Sequence, residues 1–102
     1  MTYQVRFTED AETDLVRLYE FILTKDQSDC SLASRALEAI KNAIQGLAFS
    51  PFSYRKAIAD NPFLRELVIP FGASGHVALF EIDDDQTVTI LAVRYQLEED
   101  YH

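Results

Sequence analysis

The chain is poor in the residues that would mark it as a specialised class of protein. Of its 102 residues, one is cysteine, three are glycine and three are proline. So little Gly and Pro, with 48% hydrophobic and 25% charged residues, excludes collagen-like, low-complexity and intrinsically disordered chains. Cys30 alone cannot close an internal disulfide, and its setting, Ser28-Asp29-Cys30-Ser31, holds no CxxC metal or redox pattern. That usage fits a reducing cytosol. No run approaches the ~18 apolar residues of a membrane span. The chain opens on an alternating strand pattern and not on a signal peptide, so a soluble cytoplasmic protein is expected. The length suits one domain, residues 1–102, burying roughly 65% of its unfolded surface without disulfide or metal staples.

Basic charge is scarce as well. Nine Lys and Arg stand against seventeen Asp and Glu, for a net charge of −8. Residues 1–29 carry seven acids and three bases, and 81–102 seven acids and one base. The middle, 30–80, has three acids and five bases. A protein that grips nucleic acid with its whole surface needs a basic field, because phosphate neutralisation supplies most of that affinity. Here direct nucleic-acid contact is confined to Arg55, Lys56, Arg65 and Arg94, and is not expected.

What the chain does have is clear periodicity. Residues 3–7 (Tyr-Gln-Val-Arg-Phe) alternate as a half-buried strand does. Thr8 reads as a helix N-cap, with Glu9, Asp10 and Glu12 where the helix dipole favours acids. Ala11, Leu15, Leu18, Tyr19 and Ile22 then form one helical stripe. A polar break at 26–29, where Ser28 or Asp29 can cap, separates it from a second stripe: Ala33, Ala36, Leu37, Ile40, Ala43, Ile44 and Leu47. Ser50-Pro51 forbids continuation. Three strands follow at 64–69, 76–82 and 87–94, joined by a Gly72–Gly75 turn and an Asp83-Asp84-Asp85 turn. Such short links imply an antiparallel meander. Residues 49–63 read as one long loop and 96–102 as an acidic tail. The expected fold is α+β, β-α-α-β-β-β, a helical hairpin packed on one face of an antiparallel sheet that the first strand joins.

In this order and at this length, the chain resembles the RelE/ParE superfamily of bacterial type II toxins. The resemblance covers essentially the whole chain. It is carried by Val5-Arg6-Phe7-Thr8 running into Ala11-x-x-Asp14-Leu15, by Ala43-Ile44-x-x-Leu47 before Ser50-Pro51, by Leu64-Arg65-Glu66-Leu67, and by Ile90-Leu91-Ala92-Val93-Arg94. It implies a small toxin of plasmid-stabilisation type, held harmless by a cognate antitoxin that folds on binding. Relatives of RelE cut messenger RNA on the ribosome; relatives of ParE poison DNA gyrase by protein–protein binding and cut no RNA.

RNA cleavage without a metal needs a base, cations on the phosphate and an acid for the leaving oxygen. RelE-like enzymes resemble one another in placing an arginine after an aromatic early in the strand that corresponds to 76–79, where this chain has Val77. Their Lys/Arg-rich final segment is here Tyr95-Gln-Leu-Glu-Glu-Asp. The ParE-like reading is therefore preferred, with Arg65 and Arg94 as candidates for acidic antitoxin side chains and Arg55 and Lys56 beside them. The alternative is a RelE-type endonuclease with Arg55, Lys56, Arg65 and Arg94 on phosphate and Tyr101 near the leaving group. A degenerate, non-toxic member is a third reading.

Other residues carry weaker signals. His76 beside a Gly turn reads as a polar surface residue rather than an acid or base. The Asp83–Asp85 run reads as a tight turn rather than a cation site. The helix faces bearing Glu12, Arg17, Glu20, Lys41 and Gln45 read as solvated. No cofactor or metal is implied.

Overall fold

The structure, a computed structural model, describes residues 2–25, 31–71 and 74–95. Cys30, the 26–29 break, Gly72, Tyr101, His102 and the whole acidic segment 96–102 lie outside the described residues. The elements run β1 (Gln4–Phe7), α1 (Glu9–Lys25), α2 (Ser31–Gln45), β2 (Arg55–Ile58), β3 (Asn61–Phe71), β4 (Ser74–Ile82) and β5 (Thr87–Tyr95). Short 3-10 turns at Gly46–Ala48 and Pro51–Ser53 lie between α2 and β2. Two helices pack on a five-stranded sheet of order β1-β5-β4-β3-β2.

The expected α+β architecture is present, with two differences in the sheet. First, β1 joins β5 in parallel, Gln4 beside Thr87 and Phe7 beside Ile90, which makes the sheet mixed. The orientation is locked at the strand's end, where the Thr8 amide donates to the Ile90 carbonyl at 3.1 Å. Second, part of the expected loop is the edge strand β2, antiparallel to β3 through Arg55–Glu66 and Lys56–Arg65. A turn at Ala59-Asp60 returns the chain, and β3 begins at Asn61, earlier than the apolar run alone indicates. Pro70 lies inside β3. Because β2 reaches only as far as Glu66, β3 is an outermost strand there, the position where proline is tolerated.

Thr8 caps α1 as its position implies. Its Oγ1 accepts the Ala11 amide at 3.0 Å, and its carbonyl accepts the Glu12 amide at 3.1 Å. The buried stripe of α1 is Ala11, Asp14, Leu18 and Ile22, with Leu15 and Tyr19 half-buried at its margin. From α2, Ala33, Ala36, Ile40 and Ile44 are buried, and Leu47 follows them. These side chains meet one face of the meander, where the cross-strand rows are Leu67–Ala78–Val93 and Arg65–Phe80–Ile90. Phe80, Ile40, Leu47 and Ile90 are among the largest fully buried side chains. Truncating Phe80 to Ala would cost about 3–5 kcal/mol.

His76 overturns its expected place on the surface. Strand alternation puts it on the helix-facing side with Ala78 and Phe80, in the row Ile69–His76–Tyr95. It is fully buried, 5.4 Å from the Tyr95 ring and 6.2 Å from Phe71. The opposite face carries the rows Val68–Val77–Arg94, Glu66–Leu79–Ala92 and Leu64–Glu81–Thr89.

Candidate functional site

The candidate cations fall into two groups. Arg55, Lys56 and Arg65 lie on β2 and β3 at one edge of the sheet, whereas Arg94 lies on β5. Three strand spacings, roughly 14 Å, separate β2 from β5. The strands therefore do not gather the four around one phosphate.

Arg94 is held by Asp14. β1 covers the edge of β5 only as far as Ile90, and beyond it α1 packs against the strand. There an Asp14 carboxylate oxygen accepts the Val93 amide at 3.0 Å, satisfying a strand-edge donor that a neighbouring strand would otherwise take. The same oxygen pairs with Arg94 and the other with Arg17. The Asp14 side chain is 5% exposed and that of Arg94 25%. Burial alone raises the carboxyl pKa. The Val93 amide, Arg17 and Arg94 together outweigh it and hold the group below its ordinary 3.8. Asp14, Arg17, Glu20, Phe21 and Arg94 line an open cleft of about 420 Å³. The sequence signal for this site was a carboxylate three residues after Ala11, at a core position of the α1 stripe.

Arg55 pairs with Glu66 across β2 and β3 at 3.0 Å, on the sheet face away from the helices. Arg65 bonds carbonyls: its Nε donates to Pro62 at 2.7 Å, and its Nη1 to Phe52 at 3.0 Å and Tyr54 at 2.6 Å. Its guanidinium also lies 5.1 Å from the centre of the Phe52 ring. Lys56 is exposed and reaches the Ala59 carbonyl at 3.4 Å. Val77 sits between Val68 and Arg94 in its row.

The Asp83–Asp85 run organises its own turn. Asp83 accepts the Thr89 hydroxyl, and Asp84 accepts the Gln86 amide at 2.8 Å. Among the described residues no group of three or more His, Cys, Asp or Glu could hold a metal, and no helix is long and apolar enough to cross a membrane.

A large apolar trough went unnoticed in the sequence. Tyr3, Val5 and Phe7 from β1, Leu15 from α1, Ile40 and Ile44 from α2, and Phe49 line a trough of about 680 Å³. Phe49 is 70% exposed. A second groove of about 620 Å³ runs across the hairpin past Leu15, Val16, Tyr19 and Leu37. Glu12 and Lys41 border both. Glu12, Arg17, Glu20, Lys41 and Gln45 are exposed as expected, but apolar ground lies between them.

This hairpin on a mixed five-stranded sheet is the architecture of a RelE/ParE superfamily toxin. The sequence matches the family described as "ParE toxin of type II toxin-antitoxin system, parDE" over residues 5–100. The chain belongs to that family and is a toxin of a type II toxin–antitoxin system. Its fold is similar to a chain from the chromosomal ParDE toxin–antitoxin system of P. aeruginosa, with a TM-score of 0.72 at 17% identity over 92% of this chain and 96% of that one. It is also similar to a chain of the RelBE2 toxin–antitoxin complex from Mycobacterium tuberculosis, with a TM-score of 0.56 at 26% identity over 93% and 99%. No curated protein sequence matches the chain.

Proposed function

We propose that this toxin acts in the cytoplasm by binding DNA gyrase, arresting growth without cutting RNA, and that residues 1–102 form one toxin domain. The observation that carries the proposal is the state of its arginines. Arg94 is held by Asp14, Arg55 by Glu66, and Arg65 by three backbone carbonyls. A phosphate in the transition state of RNA cleavage needs donors preorganised to receive it. Arg94 and three of the Arg65 donors are committed elsewhere, and the exposed Arg55 is only loosely held and not preorganised for a phosphate. Val77 adds no cation between them.

The cognate antitoxin has a natural seat in the apolar trough between β1 and the hairpin. An amphipathic segment that folds on binding would bury its apolar face against Val5, Phe7, Leu15 and Ile44, and Phe49 would close over one end. Charging Phe49 costs the free toxin little, because the side chain is already in water. Phe49→Asp is expected to weaken the antitoxin complex by about tenfold or more, measured by titration calorimetry. The plasmid-stabilisation role follows from that pairing when the two genes travel together.

Expression of the chain alone in a bacterial cell tests the target. DNA-damage induction and filamentation while pulse-labelled translation continues is the expected outcome. A prompt translation stop would replace gyrase with the ribosome.

A further inference from the structure

We infer that Glu12 and Lys41 decide which antitoxin this toxin accepts, and in which direction it lies. The partner they fit is an amphipathic helix with Lys or Arg on the flank facing α1 and Asp or Glu on the flank facing α2. The inference rests on the antitoxin occupying the apolar trough, and it names the charge pattern that the occupant must carry.

Three observations carry it. The first is continuity. The trough beside β1 and the groove along the hairpin share Glu12, Leu15 and Lys41, so the two form one path that meets at Leu15. Along that path Val16 is 57% exposed and Phe49 70%, which leaves apolar ground for a partner to cover.

The second is placement. Among the described residues that line the path, Glu12 on α1 and Lys41 on α2 are the only charged ones. Both are exposed, and no ion pair ties either one to the other or to a third described residue. A partner that covers Leu15 takes water away from both. Each then needs an opposite charge from that partner, because a covered charge without a counter-charge is costly.

The third is polarity. Glu9 and Asp10 add to the negative charge at the start of α1. Arg17 and Glu20 line the cleft at Arg94 instead, and Arg6 alternates away from the trough-lining Val5 and Phe7. On α2, Glu38 lies a turn before Lys41 and Arg35 a turn before that; the two offset each other, and neither lines the path. The banks therefore differ in sign. Turning a helix end for end, with its apolar stripe still down, exchanges its flanks and sets like charge against like. The same repulsion rejects an antitoxin whose flanks carry the opposite order of charge.

The test titrates the antitoxin encoded by the gene beside this one into the full-length toxin, by calorimetry. The toxins are wild type, Glu12→Lys, Lys41→Glu and the exchange Glu12→Lys/Lys41→Glu, with thermal unfolding verifying that each folds. Each single reversal is expected to weaken binding about tenfold, and the exchange, which restores the net charge, at least as much. Reversing the antitoxin's charged residues one at a time should then yield a variant that regains affinity for the Glu12→Lys toxin.

Affinities within about twofold of wild type for all three toxins would overturn the inference, as for solvated surface charges. So would an exchange that restores wild-type affinity, since the two residues would then act through net charge or on each other. A wild-type dimer that the variants dissociate would overturn it too, by assigning the path to a second copy. Phe49→Asp separates this inference from the reading beneath it. If that variant weakens binding and the reversals do not, the trough keeps the antitoxin and the charge assignment falls. If the reversals weaken binding and Phe49→Asp does not, the trough reading falls, while the hairpin groove and the charge assignment stand.

Discussion

Two ion pairs of similar chemistry sit at opposite ends of the sheet and do different work. Arg94–Asp14 joins β5 to α1, with the carboxylate 5% and the guanidinium 25% exposed. Arg55–Glu66 joins β2 to β3, with the guanidinium 62% exposed. In the first, the carboxylate also accepts a backbone amide and a second arginine. In the second, water competes for the arginine. The comparison teaches that a cation's usefulness to a ligand depends on what already holds it. Arg94 is built into the fold, whereas Arg55 is only loosely restrained.

The largest expected effect is from Asp14→Ala, which leaves Arg94 without its partner and the Val93 amide without an acceptor. About 3 kcal/mol of stability should be lost in urea unfolding. A loss under about 1 kcal/mol would erase the contrast between the two pairs. Next is the paired replacement Asp14→Leu/Arg94→Met, which removes both charges together and should recover much of that loss. A double variant as unstable as Asp14→Ala would place the cost in the Val93 amide and not in the charge.

The pH dependence comes third. The folded Asp14 pKa lies below its ordinary 3.8, so its contribution is present above that value and is lost as pH falls through it toward the folded pKa. Acid unfolding monitored by circular dichroism should therefore show wild type losing its advantage over Asp14→Asn below about pH 4. A constant difference across that range would contradict the assignment. The smallest effect is expected from Glu66→Gln, at most about 1 kcal/mol and reduced by salt.

How far the sequence could be read depended on whether a signal was local. The Thr8 cap, the α2 stripe and the β3-β4-β5 meander rest on spacing within a few residues, and each is present in the structure. β2 was hidden because Arg55-Lys56-Ala57-Ile58 has no apolar alternation, and the neighbouring Asn61-Pro62 resembles loop chemistry. Strand β1 ends beside a residue more than eighty positions away, so its parallel direction could not be read from spacing. Asp14 stood in the sequence only as part of the Ala11-x-x-Asp14-Leu15 motif, with no partner indicated. Its role depends on β1 stopping at Ile90 and leaving the Val93 amide open, a fact of topology. The same holds for the trough, whose walls come from β1, α1 and α2. It holds too for Arg65, whose carbonyl partners Phe52, Tyr54 and Pro62 all lie in the stretch 49–63 that was read as one long loop.

The most direct measurement compares two assays on the purified chain: inhibition of gyrase supercoiling, and cleavage of messenger RNA on primed ribosomes. The account predicts dose-dependent gyrase inhibition with the message left intact. Message cut on the ribosome, with gyrase unaffected, would contradict it.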